Sequence, residues 1–116
     1  MYTIYHNPRC SKSREALHYL EKHGKQVTVV NYFNEPFSKS TLKEVLDRIE
    51  IRPSQVVRKN EADWKKVDNK NTLNENQILD ILIEYPKTLE RPIVISKDSG
   101  VLARPLEKLI SFLRSN

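Results

Sequence analysis

Cys10 is the only cysteine in the chain, and it stands within Tyr5-His6-Asn7-Pro8-Arg9-Cys10-Ser11-Lys12-Ser13-Arg14. A cysteine reacts as its thiolate, so its chemistry depends on what lowers its pKa. The run falls between a strand pattern and the first turn of a helix pattern. There, unpartnered backbone N–H groups and the positive end of the helix dipole favour an anion. Arg9, Lys12, Arg14 and His6 add cationic residues on either side, and a depressed thiol pKa is expected. A solitary cysteine is often only a small buried hydrophobe. Here Asn7 and Pro8 interrupt the strand, the neighbours are polar or charged, and Ser11 or Ser13 is available to cap the helix. That context places the sulfur at a turn and makes Cys10 a candidate nucleophile.

A nucleophile at a turn needs a scaffold, and the apolar pattern supplies one. Residues 2–5 alternate as a strand does, and Ala16, Leu17 and Leu20 recur at helical spacing until Gly24. Residues 27–32 are rich in β-branched side chains, which completes a βαβ opening with two parallel strands joined by a helical crossover. The Cys10 turn then lies at the carboxyl end of the first strand, the edge where open α/β sheets bind ligands. Over 38–50, Leu42, Val45, Leu46 and Ile49 share one helical face, with Ser38 or Thr41 as the cap. Pro53 begins a short helical stretch carrying Val56, Val57 and Arg58. Asn74 and Gln77 open a further helix bearing Ile78, Ile81, Leu82 and Tyr85, which Pro86 ends. Ile93-Val94-Ile95 reads as a strand, Asp98-Ser99-Gly100 as a turn, and Val101-Leu102 as its antiparallel partner. Leu106, Leu109, Ile110 and Leu113 mark a closing helix.

The 116 residues suit a single domain spanning 1–116, with the helical insertion at about 38–86. The net charge of +5 and isoelectric point near 9.4 suit an anionic partner, either nucleic acid or a small oxyanion. The basic residues alternate with acidic ones, as in Leu42-Lys43-Glu44-Val45-Leu46-Asp47-Arg48, which is the pattern of a solvated helix face. No nucleic-acid motif accompanies them, so nucleic acid is not expected as a partner. No apolar run approaches the ~20 residues of a membrane span and no signal-peptide pattern opens the chain, so the expectation is a cytoplasmic protein without a membrane partner. One cysteine forms neither an internal disulfide nor a Cys-based zinc site, and His6, His18 and His23 lack metal-ligand spacing. No metal is expected.

The order βαβ, helical insertion, ββα is that of an α/β thioredoxin-like fold with a small mixed sheet and a helical lobe. Over essentially its whole length the chain resembles the glutaredoxin-dependent, ArsC-like arsenate reductase family. The resemblance is carried by His6-Asn7-Pro8, Cys10 and Ser13-Arg14, by Arg58-Lys59-Asn60, by Arg91-Pro92-Ile93-Val94 and by Arg104-Pro105. It implies that Cys10 is the catalytic nucleophile and that Arg58, Arg91 and Arg104 bind the oxyanion. Arginine suits that task because its planar guanidinium stays charged and offers a fork of N–H donors. By the same resemblance His6 is placed to help hold the thiolate; the other reading of it is a strand-end histidine satisfied by backbone carbonyls. Asn7, Ser13 and Arg14 are supporting residues, Asn7 and Ser13 as hydrogen-bond partners of either the cysteine loop or the sulfur, and Pro92 corresponds to the proline that thioredoxin-like folds hold cis.

No cofactor is implied. With Ser13 where a dithiol enzyme has a second cysteine, the resolving thiol must come from outside, and the resemblance implies glutathione as co-substrate and glutaredoxin as partner. A monomer is expected. The chain has Arg9-Cys10-Ser11-Lys12 where the best-known resistance reductases have a small residue before the cysteine and Gly-Thr after it. That departure admits another acidic substrate. Two alternatives accompany the reductase reading: an Spx-like regulator that binds RNA polymerase, and a monothiol glutaredoxin-like oxidoreductase. The first typically carries Cys-x-x-Cys and lacks the third arginine, whereas this chain has Cys10-Ser11-Lys12-Ser13 and Arg104-Pro105.

Overall fold

Backbone hydrogen bonding between short β-rich segments builds the part of the molecule that carries Cys10. The computed structural model describes residues 1–115. They divide into two units, one made of residues 1–35 with the residues from Arg91 onward, the other of residues 36–90.

In the first unit, β1 (Tyr2–His6), β2 (Val27–Asn31), β3 (Ile93–Ile95) and β4 (Gly100–Leu102) form one mixed sheet in the order β2-β1-β3-β4. β1 runs parallel to β2 and antiparallel to β3, and β3 runs antiparallel to β4. The helix α1 (Ser11–Lys22) links the two parallel strands, as their direction requires, and α5 (Leu106–Ser115) follows β4. This is the thioredoxin-like arrangement. Ile4, Ala16, Leu20, Val94, Ala103 and Leu109 form its buried core, so α1, α5 and the central strands share one apolar cluster. Gly24, at φ +67°, closes α1, while Lys25 N–H donates to the Leu20 carbonyl over 3.0 Å.

Sheet register then decides what meets at the edge beyond β1. Tyr5 pairs with Ile93, and Ile93 with Leu102. One step further along, Ala103 N–H donates to the Pro92 carbonyl over 2.9 Å. The residues just past the carboxyl ends of β1 and β4 therefore lie beside those just before β3. Asn7, Arg91 and Arg104 come to one sheet edge.

The second unit is helical. Ser38 caps α2 (Lys39–Arg48), its Oγ accepting from Thr41 N–H over 3.2 Å, and Leu42, Val45 and Leu46 are buried. At α4 (Glu75–Glu84), Asn74 and Gln77 form the expected capping box, with side chain to backbone distances of 2.8 and 2.9 Å. The Glu75 carboxylate accepts from both the N–H and the Oγ of Ser54, each over 2.8 Å. These bonds tie the 3-10 turn Pro53–Gln55 to α4 and lower the Glu75 pKa. The helical stretch expected after Pro53 ends at Gln55. Val57 instead pairs with Leu89 as an isolated β-bridge, and Arg58 N–H donates to the Thr88 carbonyl over 2.7 Å. Those partners satisfy the backbone from 56 to 58 without a helix. The four-residue helix α3 (Ala62–Lys65), unforeseen in the sequence, buries Trp64. No helix among the described residues is long and apolar enough to cross a membrane.

Leu20 has no solvent exposure and anchors α1 in the core of the first unit. Leu20→Ala is expected to lower stability by about 2–5 kcal/mol, read as a lower denaturation midpoint with little change in slope.

Candidate active site

The chain between β1 and α1 is held by its own side chains. Cys10 N–H donates to the Asn7 carbonyl over 3.0 Å, closing a turn, while Asn7 Oδ1 accepts from Arg9 N–H over 3.0 Å. The buried Ser13 hydroxyl accepts from Asn7 N–H over 3.2 Å, and Arg14 Nη1 donates to the Pro8 carbonyl over 2.9 Å. Asn7, Ser13 and Arg14 thus act on the shape of the loop. Neither Ser11 nor Ser13 caps α1, however. Cys10 itself occupies the N-cap, in extended conformation, with its carbonyl accepting from Arg14 N–H over 3.0 Å. Ser13 lies inside the first turn, and its oxygen is used by Asn7.

At the N-cap the sulfur sits where a capping serine would place its oxygen. The side chain makes no capping hydrogen bond of standard geometry, so the N–H groups act on the sulfur mainly as oriented dipoles. Partial burial pushes the thiol pKa up. Opposing it are, in order, the Ser13 N–H, a hydrogen bond from Arg91, the Lys12 N–H and the Arg91 charge, and the balance lies below the ordinary value of 9.0. Arg91 is buried, at 8 % exposure. Arg104 Nη1 lies 3.9 Å from Cys10 Sγ and donates to the Arg91 carbonyl over 3.1 Å. The second bond fixes the guanidinium next to the sulfur. Both Arg91-Pro92 and Arg104-Pro105 are cis peptides, the first of them as the resemblance implied.

His6 differs from the expectation of a cationic contributor. It is 6 % exposed, and burial followed by the nearby Arg14 charge lowers its pKa from 6.5, which leaves it neutral at pH 7. Its Nδ1 has no hydrogen-bond partner among the described residues. The groups that hold down the Cys10 pKa are Arg91 and the N–H groups of Ser13 and Lys12 rather than His6 or the Arg9, Lys12 and Arg14 side chains. The contribution of the two amides was accessible in principle, because they occupy the second and third positions of the helix. Arg58 belongs to the second unit, where its Nε and Nη1 lie 3.6 Å from Glu61 and 3.8 Å from Glu90.

A sulfur whose thiol pKa is lowered, with two guanidinium groups beside it, supplies its thiolate more readily than a free cysteine, and that thiolate can attack an electrophile whose oxygens carry negative charge. The pH profile of Cys10 alkylation by iodoacetamide is expected to reach half-maximum below pH 9, and Arg91→Gln should move it to higher pH; coincident profiles would remove Arg91 from thiolate stabilisation. His6 gives a separate signature. Because its folded pKa is depressed, the unfolded chain takes up the proton first on acidification. Its contribution to stability is present above about pH 6.5 and falls away as pH drops through the folded value. The loss of stability between about pH 7 and 5.5 should therefore be smaller in His6→Gln than in wild type, measured by urea denaturation at each pH.

The model of the ArsC family covers residues 5–112. An arsenate reductase of Neisseria meningitidis is 36 % identical over 113 residues, 95 % of this chain and 96 % of that protein. A protein of Escherichia coli K12, YfgD, described as uncharacterized, is 33 % identical over 112 residues, covering 95 % of this chain and 94 % of its own length. Among solved structures, an arsenate reductase from Vibrio cholerae superposes with a TM-score of 0.89 at 31 % identity, over 95 % of each chain. The matched span takes in the cysteine loop, Arg58, Arg91 and Arg104, and this chain belongs to the ArsC family.

Proposed function

We propose that the chain is an arsenate reductase that draws its second thiol from glutathione. The observation that carries this reading is the contact of Arg104 with the only cysteine, beside the buried Arg91. Arsenate is a tetrahedral oxyanion, and two fixed guanidinium groups next to a thiolate suit its oxygens as well as its electrophilic arsenic. Arg58 is the third oxyanion-binding arginine in this proposal, by its match to the family motif.

The reaction runs in balanced steps. The Cys10 thiolate attacks arsenic(V), an As–S bond forms, and an oxygen leaves as water after taking up protons. The guanidinium groups neutralise the charge that grows on the remaining oxygens. Glutathione thiolate then attacks Cys10 Sγ. A sulfur–sulfur bond forms, the As–S bond breaks with its electron pair on arsenic, and arsenic(III) departs as arsenite. Glutaredoxin reduces the Cys10–glutathione disulfide and restores the thiol. The external thiol follows from Ser13, since a chain with one cysteine has no internal resolving group. The same residue counts against a dithiol switch of the regulatory kind.

Arsenate-dependent NADPH oxidation, coupled through glutathione, glutaredoxin and glutathione reductase, tests the proposal. Wild type should turn over, Cys10→Ser should not, and Arg91→Lys should fall about 10²–10³-fold as a fixed oxyanion donor is displaced. A wild type with reactive Cys10 and no arsenate-dependent oxidation would refute it.

A further inference from the structure

The distribution of charge leaves two cations at the active site without a task in the chemistry above. Of the chain's 20 basic and 15 acidic residues, ten basic and five acidic lie in the first unit and ten of each in the second, so the whole excess of +5 belongs to the unit that carries Cys10. Within that unit the loop from Asn7 to Arg14 holds three cations and no acid. Arg14 is occupied with the Pro8 carbonyl. Arg9 and Lys12 are exposed, and among the described residues their side chains have neither an ion pair nor a hydrogen bond. Their charges are not among the groups that lower the Cys10 pKa either, which are the Ser13 and Lys12 N–H groups and Arg91. Arg9 and Lys12 stand one residue before and two residues after the cysteine, on the loop that carries it, with their side chains in solvent.

We infer that the Arg9 and Lys12 side chains form a cationic collar that selects the charge of the sulfur reagent at Cys10, favouring a small thiol or disulfide of net negative charge over neutral and cationic ones. The inference rests on the proposed use of an external thiol and adds which residues choose it. In the proposed reaction the oxyanion is held by the inner arginines, whereas the sulfur reagent comes to Cys10 Sγ from solvent, where the field of the exposed pair acts on it. Glutathione, with two carboxylates and one ammonium group, carries the charge that such a collar attracts. A charge at about 8 Å in water is worth roughly a factor of two to three in encounter, so the pair together supplies about fivefold at low salt.

The test uses disulfides, which report on the collar without arsenate. Cys10 thiolate attacks one sulfur of the disulfide, a new sulfur–sulfur bond forms with that half, and the other half leaves as thiolate. Rates are measured with glutathione disulfide, which is anionic, with cystamine, which is cationic, and with bis(2-hydroxyethyl) disulfide, which is neutral. Each protein's rates are divided by its own neutral rate, which removes changes in nucleophilicity or folding. In Arg9→Gln/Lys12→Gln the glutathione disulfide ratio should fall about fivefold at about 20 mM salt and the cystamine ratio should rise. At about 0.5 M salt the wild-type ratios should converge on those of the variant. Ratios that agree within about twofold between wild type and variant at low salt would overturn the inference. An altered charge preference in a protein without arsenate turnover would leave the collar standing and remove only the arsenate assignment.

Discussion

Everything at the active site depends on one constraint, the register in which β3 lies between β1 and β4. Strand pairing brings backbones together at fixed spacing and carries whatever follows the paired residues to the same place. Because Tyr5 faces Ile93 and Ile93 faces Leu102, the residues beyond them are fixed as well. The Asn7 turn, Arg91 and Arg104 converge although more than 80 positions separate the first from the second. A shift of one residue would exchange the faces of Ile93, Val94 and Ile95, all three of them buried, and break the packing on both sides of the strand, so the same burial that stabilises the sheet also holds the site in alignment.

On that frame the state of Cys10 is a contest between burial and oriented charge. Removing the sulfur from water penalises the thiolate, and this is the largest single influence on it. The opposing groups prevail because they are several and fixed in advance. Two N–H groups are held by the first turn of α1, and the Arg91 guanidinium is itself buried. Arg104 is fixed from a second direction by its bond to the Arg91 carbonyl. The loop's own bonds, from Asn7 to Ser13 and from Arg14 to Pro8, keep the sulfur at the head of the helix. An arrangement that does not have to reorganise when charge moves onto an oxyanion is the general basis of electrostatic catalysis.

Local interactions were legible in the sequence, and non-local ones were legible only through motif resemblance. The capping box at Asn74, the stop at Gly24 and the strand Ile93–Ile95 depend on residues a few positions apart, and all appear where periodicity and cap chemistry predict them. The segment 56–58 does not, because its partners at 88–90 outweigh a local helical preference. Ser11 and Ser13 were both plausible caps, and the choice of Cys10 instead depends on where the turn closes. His6 shows the same limit in electrostatic form. Residue type suggests a cation, yet burial and the Arg14 charge decide its state, and neither can be read from neighbours in sequence. That Arg91 is the guanidinium acting on the sulfur is a consequence of sheet register.

The cations around Cys10 therefore fall into two groups by depth rather than by sequence proximity. Arg91 and Arg104, remote in the chain, touch the sulfur's surroundings directly, where limited solvent access preserves their field. Arg9 and Lys12, adjacent in the chain, are exposed, and water and salt weaken their effect on an atom bonded into the loop. An exposed charge still acts on a diffusing reagent, because encounter is governed by potentials in the surrounding solvent. In the proposed reaction the two kinds divide the work: the inner pair prepares a nucleophile for an oxyanion, and the outer pair acts on the thiol arriving from solvent.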